Sequence, residues 1–176
     1  TSGGWLTLID ENRFSGGTAV EQGTLILGWG STLISNATVS PTGELWMGGT
    51  LRGNLVNSGR VLAGQMQLSP GNWATENLSL IQGNYRQSAT GTLAVTLNWP
   101  LMVTDQAQLD GGTVELHAEQ EWDGSGHVYY FPDTPSSQRL LHAAGGVTGQ
   151  FDSWTSPGLF IEGRLRYAPN DVYFDL

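Results

Sequence analysis

Two stretches decide the fold: Gly91-Thr92-Leu93-Ala94-Val95-Thr96-Leu97-Asn98-Trp99, and Gly112-Thr113-Val114-Glu115-Leu116-His117-Ala118-Glu119. Leu93, Val95, Leu97 and Trp99 share one face of the first stretch. Val114, Leu116 and Ala118 share one face of the second. Successive side chains of a strand point to opposite faces, so this alternation reads as strands with one buried and one wet face. Glu115 falls on the wet face, where its loss is expected to be nearly silent. Both stretches open on Gly-Thr-Leu/Val, 21 residues apart. Similar openings stand at Gly23-Thr24-Leu25, Gly43-Glu44-Leu45 and Gly49-Thr50-Leu51. A repeat near 20 residues holds about three short strands, and such a repeat buries its apolar face only by stacking on its neighbours. The expectation is an all-β, parallel β-solenoid of roughly eight rungs stacked ~4.8 Å apart.

Composition agrees. Of the 176 residues 25 are glycine, and serine, threonine and asparagine add 40 more, a mixture that serves turns and strands and serves helices poorly. Charged residues make up only 13%, the net charge is −9, and all seven basic residues are arginine. Without lysine there is no P-loop lysine and no Schiff-base chemistry. The acidic balance argues against a nucleic-acid partner, because phosphate binding needs a basic face. With no cysteine, disulfides and thiolate metal sites are excluded. No apolar run approaches the roughly 18 residues of a membrane-spanning helix, and Thr1-Ser2-Gly3-Gly4 reads as the cut start of a fragment.

The rhythm changes near residue 122. Trp122-Asp-Gly-Ser-Gly126 and Pro132-Asp-Thr-Pro-Ser-Ser137 read as loops, and Tyr129, Tyr130, Phe131, Phe151, Trp154, Phe160, Tyr167, Tyr173 and Phe174 crowd the last third. Late strands set Leu159, Ile161, Leu165 and Tyr167 against Phe160, Glu162, Arg164 and Arg166. The last sets Val172, Phe174 and Leu176 against Asp171, Tyr173 and Asp175. An open solenoid end is an unpaired sheet edge that must be covered. Residues 1–90 are therefore expected to be plain rungs, and 91–176 the capped end of one continuous domain. The stretch Gln65–Asn77 departs from the glycine-rich pattern and reads as a local insertion.

Several segments, in order, resemble one family. They are Asn12-Arg13-Phe14-Ser15-Gly16-Gly17-Thr18-Ala19-Val20-Glu21-Gln22-Gly23-Thr24-Leu25, Gly49 to Val61, Gln82-Gly83-Asn84-Tyr85-Arg86-Gln87, Leu140 to Phe151 and the closing pair Tyr167 to Leu176. Together they are similar to the C-terminal passenger region of bacterial type V autotransporters, with the autotransporter-associated β-strand repeat. Passengers carrying a subtilisin-like protease are the most similar. The resemblance implies a right-handed parallel β-helix with an aromatic-rich C-terminal cap acting as autochaperone. It implies a non-catalytic role in secretion and display at the outer membrane or cell surface of a Gram-negative bacterium. The implied partners are the rest of its own passenger chain and its C-terminal β-barrel translocator, with a monomeric state and no cofactor.

Residue chemistry offers few candidate sites. His117, His127 and His142 stand 10 and 15 apart, unlike common zinc spacings. Gly28-Trp29-Gly30 mimics a dinucleotide loop, but Leu33 stands where the third glycine belongs, so it reads as a turn. Asp105 with Asp110, or Glu115 with Glu119, would be the carboxylate pairs of a polysaccharide-degrading enzyme. Glu119, Glu121 and Asp123 would be a loose cation site. Solvated strand faces explain these acids better, and no catalytic, cofactor-binding or metal residue is assigned. Seven tryptophans make a carbohydrate-binding module the alternative, with Trp29 and Trp73 the exposed candidates and Trp99 in the core.

Overall fold

The computed structural model describes residues 3–64, 67–69, 72–73, 79–122, 127–130, 136–157 and 161–176. These residues form an all-β structure with no helix, built on curled sheets whose strands are mostly parallel. Three ladders organise it. The first joins Trp5–Leu8, the second halves of Thr18–Leu27 and Ala37–Met47, then Arg60–Ala63, Thr92–Thr96, Thr113–His117 and Ser153–Thr155. The second joins the first halves of the same two long strands to Leu55–Asn57, Tyr85–Gln87, Ala107–Asp110 and Val147–Gln150. The third runs from Glu11–Arg13 through Thr32–Ile34, Thr50–Arg52, Leu80–Gln82 and Leu101–Val103 to Ser137–Ala143.

Register turns the alternation into a core. Leu25, Leu45, Val61, Leu93 and Val114 lie side by side across the first ladder, and Leu27, Met47, Ala63, Val95 and Leu116 form the next inward row. Leu33, Leu51, Ile81, Val103 and Ala143 do the same in the third. All of these are buried. Full burial of one Leu or Val side chain contributes roughly 1.5–3 kcal/mol, so each row is a continuous source of cohesion across strands distant in sequence. Corners follow from glycine and asparagine. Gly112 has φ +79°, and any side chain there would run into the carbonyl oxygens of Gly91 and Ser88. Asn36, Asn54 and Asn84 stack at another corner, each Oδ1 accepting the backbone N–H of Asn54, Asn84 and Gln106 at 2.9, 2.9 and 3.1 Å.

Several expectations change. Gly49-Thr50-Leu51 belongs to the third ladder, not to the row of Gly23, Gly43, Gly91 and Gly112. The fifth member of that row is Gly59-Arg60-Val61, so the spacing is not constant. Leu45 to Val61 is 16 residues and Val61 to Leu93 is 32, because an excursion carrying the antiparallel pair Gln67–Ser69 and Asn72–Trp73 intervenes. A second excursion, Glu119–Trp122 with His127–Tyr130, separates Val114 from Trp154 by 40. The first ladder has seven strands among the described residues, where about eight rungs were expected. The strand expected over Thr92–Trp99 ends at Thr96, since Asn98 takes φ +70° and turns the chain. Leu97 stays buried and Trp99 sits half-buried in the loop. Ala94 and Thr96 are buried rather than wet.

The C-terminal end is closed differently from the rest. Asp171–Asp175 pairs antiparallel with Ser137–Ala143, and Arg164–Tyr167 pairs antiparallel with Asp171–Asp175. The strand expected from Leu159 starts at Arg164, while residues 158–160 lie outside the described residues. Val172 and Phe174 point inward and are fully buried, and the Phe174 ring meets Trp154 edge-on at 4.7 Å between centroids. Phe151 is buried too, whereas Tyr167 and Tyr173 are only half-buried. Of the remaining aromatics of the expected cap, Phe131 and Phe160, with the side chains of Tyr129 and Tyr130, lie outside the described residues.

Candidate functional site

The outward face of the first ladder carries the densest group of ionisable residues. Arg60 follows the corner Asn57-Ser58-Gly59, and its strand lies between those of Glu44 and Thr92. Its Nη1 donates to Glu44 Oε1, and its Nη2 donates to Glu115 Oε1 at 2.6 Å. Glu115 lies two strands away, so the guanidinium passes over the strand Thr92–Thr96, whose outward residues Thr92 and Ala94 are small enough to allow it. His117 Nε2 contacts Glu115 Oε1 at 2.5 Å and lies 3.4 Å from Arg60 Nη2, and Thr24 Oγ1 donates to Glu44 Oε2 at 3.2 Å.

This geometry corrects the expectation that Glu115 sits on a wet face: its side chain is only 19% exposed and ion-paired. Burial pushes the Glu115 carboxyl up. The hydrogen bonds from Arg60 and His117, with the Arg60 charge, outweigh burial and hold it below the ordinary glutamate range. Burial likewise opposes the charge on Arg60, and its two carboxylates more than restore it. A carboxyl held ionised in this way is the reverse of what a general acid in glycoside cleavage needs. The arrangement works as a clamp across four neighbouring strands, from Glu44 through Arg60 and over Thr92–Thr96 to Glu115.

A second network is buried. Asn57, Tyr85 and Gln87 point into the core from the second ladder. Asn57 Nδ2 lies 3.0 Å from Gln87 Oε1 and 2.9 Å from the Thr92 carbonyl, and its Oδ1 accepts the Gly59 N–H at 3.1 Å. Tyr85 Oη donates to Gln87 Oε1, while Gln87 Nε2 donates to the Gly91 carbonyl at 2.6 Å. Burial pushes the Tyr85 phenol far up. Buried polar groups are tolerated when hydrogen-bonded, and here they fasten the corners that precede Arg60 and Thr92.

The other candidate residues do not gather into sites. Asp110 accepts from Gln108 and Arg86, at 2.7 and 2.6 Å, which hold its carboxyl below the usual range. Asp105 lies in a turn beside Thr104. His142 Nδ1 lies 2.9 Å from Asp171 Oδ1, which also takes Arg139 Nε at 3.0 Å, so these groups tie the last strand to Ser137–Ala143. The side chains of Glu119, Glu121 and His127, and all of Asp123, lie outside the described residues. Among the described residues no three His, Asp or Glu side chains gather as metal ligands would. Gly28-Trp29-Gly30 is a turn, with Gly30 at φ +70° and Trp29 52% exposed, while the Trp73 side chain lies outside the described residues.

The two ends of the ladders contrast. At the N-terminal end Trp5, Leu6, Ile9 and Phe14 stand out from the outermost strands, with Trp5 79% and Ile9 68% exposed. At the other end the antiparallel strands 164–175 cover the third ladder. Compared with known proteins, the chain matches no family model and no curated sequence. The functional reading therefore rests on geometry and on the residues themselves. Strand alternation alone does not reveal Arg60 as the partner shared by Glu44 and Glu115. The signal was present, since Gly43-Glu44-Leu45 and Gly59-Arg60-Val61 share the opening that places residues side by side.

Proposed function

We propose that this chain is a non-catalytic stretch of right-handed parallel β-helix from the C-terminal part of an autotransporter passenger. Its work is to fold first and present an edge on which further rungs form. The observation that carries the reading is the antiparallel closure of the third parallel ladder by the strands Arg164–Tyr167 and Asp171–Asp175. A parallel edge offers unpaired N–H and C=O groups to the next strand, whereas a hairpin laid across the other end stops growth there. Stability in such a stack is close to a sum of repeat and interface terms, so an end repeat is dispensable unless it is the cap.

Paired truncations test this. Deleting residues 1–40 should leave a soluble, cooperatively melting protein. Deleting 149–176 removes the buried Phe151, Val172 and Phe174 and strips Ser137–Ala143 of its antiparallel partner, and should give aggregation or no folding. In the full-length passenger the small C-terminal deletion should reduce protease-resistant protein at the cell surface, and the N-terminal one should not. A 149–176 deletion that melts and displays like the parent sinks the reading in favour of a passive stalk. The exposed Trp29 favours the second reading, a sugar-binding module, which a saturable tryptophan-fluorescence change on sugar titration would support.

A further inference from the structure

The antiparallel strands Ser137–Ala143, Asp171–Asp175 and Arg164–Tyr167 turn Val172 and Phe174 inward, so the residues between these face outward. Two cross-strand rows result. Ser137, Asp175 and Arg164 make one, and Arg139, Tyr173 and Arg166 make the next, with His142 and Asp171 paired beyond them. Three of the chain's seven arginines therefore share one small face, in a protein whose net charge is −9. By strand geometry Arg164 and Arg166 start roughly 7 Å apart along their strand, and Arg139 and Arg166 roughly 10 Å apart across the ladder.

Two of these arginines are pinned from one edge and open on the other. Arg139 Nε lies 3.0 Å from Asp171 Oδ1, and Arg166 Nε donates to Asp175 Oδ2 at 2.8 Å. Arg166 Nη2 donates to Ser137 Oγ at 2.8 Å, and Ser137 Oγ donates to Asp175 Oδ1 at 2.6 Å. Both side chains remain 45% exposed. Their guanidinium carbons lie 5.9 and 4.3 Å from the centre of the one Tyr173 ring. The ring attracts each cation, while the two cations repel each other. An oxyanion between their open Nη groups would remove that repulsion and take charge-assisted hydrogen bonds. Arg164 is exposed and faces Asp175 across the ladder, so Asp171 and Asp175 are two acids among three arginines, with Glu162 just before the strand.

We infer that the outward face of Arg139, Arg164, Arg166 and Tyr173 binds an acidic oligosaccharide. One carboxylate or sulfate is held between Arg139 and Arg166, and a second by Arg164. Spaced arginines on an otherwise acidic protein suit a chain with separated charges, whereas a duplex or an anionic bilayer presents dense charge that the net −9 repels. The half-buried Tyr173 adds a phenol able to donate to or accept from a sugar hydroxyl. This site is separate from Trp29 and rests on neither reading of what the stack does.

The probe is tetragalacturonate, titrated into the isotope-labelled 176-residue chain at about 50 mM salt. Saturable shifts are expected at the amides of 137–142, 164–166 and 171–175 and at the arginine Nε–H groups, with the Trp29 indole unmoved. Added salt should weaken them, and the fully methyl-esterified tetramer, which lacks charge, should give none. Arg166→Lys keeps the charge but loses the flat fork, and should weaken binding about tenfold. That variant also disturbs Ser137 and Asp175, so Arg164→Gln is the second test: it should melt like the parent and bind about fivefold more weakly. No saturable response up to about 10 mM, equal binding of the methyl ester, or unchanged affinity in both variants overturns the proposal. So do shifts centred on Trp29. The same shifts from inorganic phosphate or phosphatidylglycerol vesicles at lower concentration overturn the sugar assignment.

Discussion

Replacing Glu115 by Gln keeps the shape of the side chain and removes its charge from the clamp on Arg60 and His117. Exposed ion pairs contribute about 0.2–1 kcal/mol, and breaking a fully buried one costs about 3–5 kcal/mol. Glu115 is 19% and Arg60 31% exposed, so the pair lies between these limits. Arg60 keeps Glu44, which spares it an uncompensated charge. The expected loss at neutral pH is therefore about 1–2 kcal/mol, read as a lower urea midpoint at unchanged slope. Acid dependence gives a second reading. The folded Glu115 carboxyl titrates below its unfolded value, so its contribution is complete above the ordinary glutamate range and fades as pH falls through the depressed folded value. Melts of parent and Glu115→Gln should thus differ at pH 7 and converge as the pH falls through the depressed folded value. A double-mutant cycle with Arg60→Met isolates the pair from other effects. A difference under about 0.3 kcal/mol at pH 7, or one that does not shrink on acidification, would refute the clamp.

Gly112→Val should destabilise the protein severely, since φ +79° and the Gly91 and Ser88 carbonyls leave no room for a side chain. Gly16→Ala, with open space around it, should melt nearly as the parent does. Leu97→Ala should cost about 2–5 kcal/mol in denaturant melts although it lies just past its strand, while Leu6→Ala, 60% exposed, should be close to neutral. Asn57→Ala leaves the Gly59 N–H without its side-chain acceptor and should cost about 1–3 kcal/mol, with faster amide exchange at Gly59 as the local mark.

Much of the inside and outside was legible in the residues. Val114, Leu116 and Ala118 are buried as the alternation requires, and so are Val172 and Phe174. Leu97 is buried even though Asn98 ends the strand early, because the alternation carries one residue into the turn. The outer faces were less legible. Strand period alone marks Ala94, Thr96 and Glu115 as wet, because it cannot reveal what covers the outer face. The clamp became visible only once Arg60 was placed over the strand Thr92–Thr96, 55 residues before its partner Glu115.

Short-range pattern alone determined that the chain makes short strands, that glycine and asparagine mark its corners, and which side of most strands turns inward. Those properties depend on side-chain period and backbone sterics, which are local. Tertiary structure decided which strand lies beside which. Gly49 opens a strand of the third ladder and Gly59 one of the first, although both precede similar residues. The excursions after Ala63 and His117 break the repeat length without breaking the ladder. Strand pairing is satisfied by backbone hydrogen bonds that any residue but proline can make, so the sequence carries little record of the partner. That choice was made by closure of the apolar rows, which follows from where the whole chain can stack.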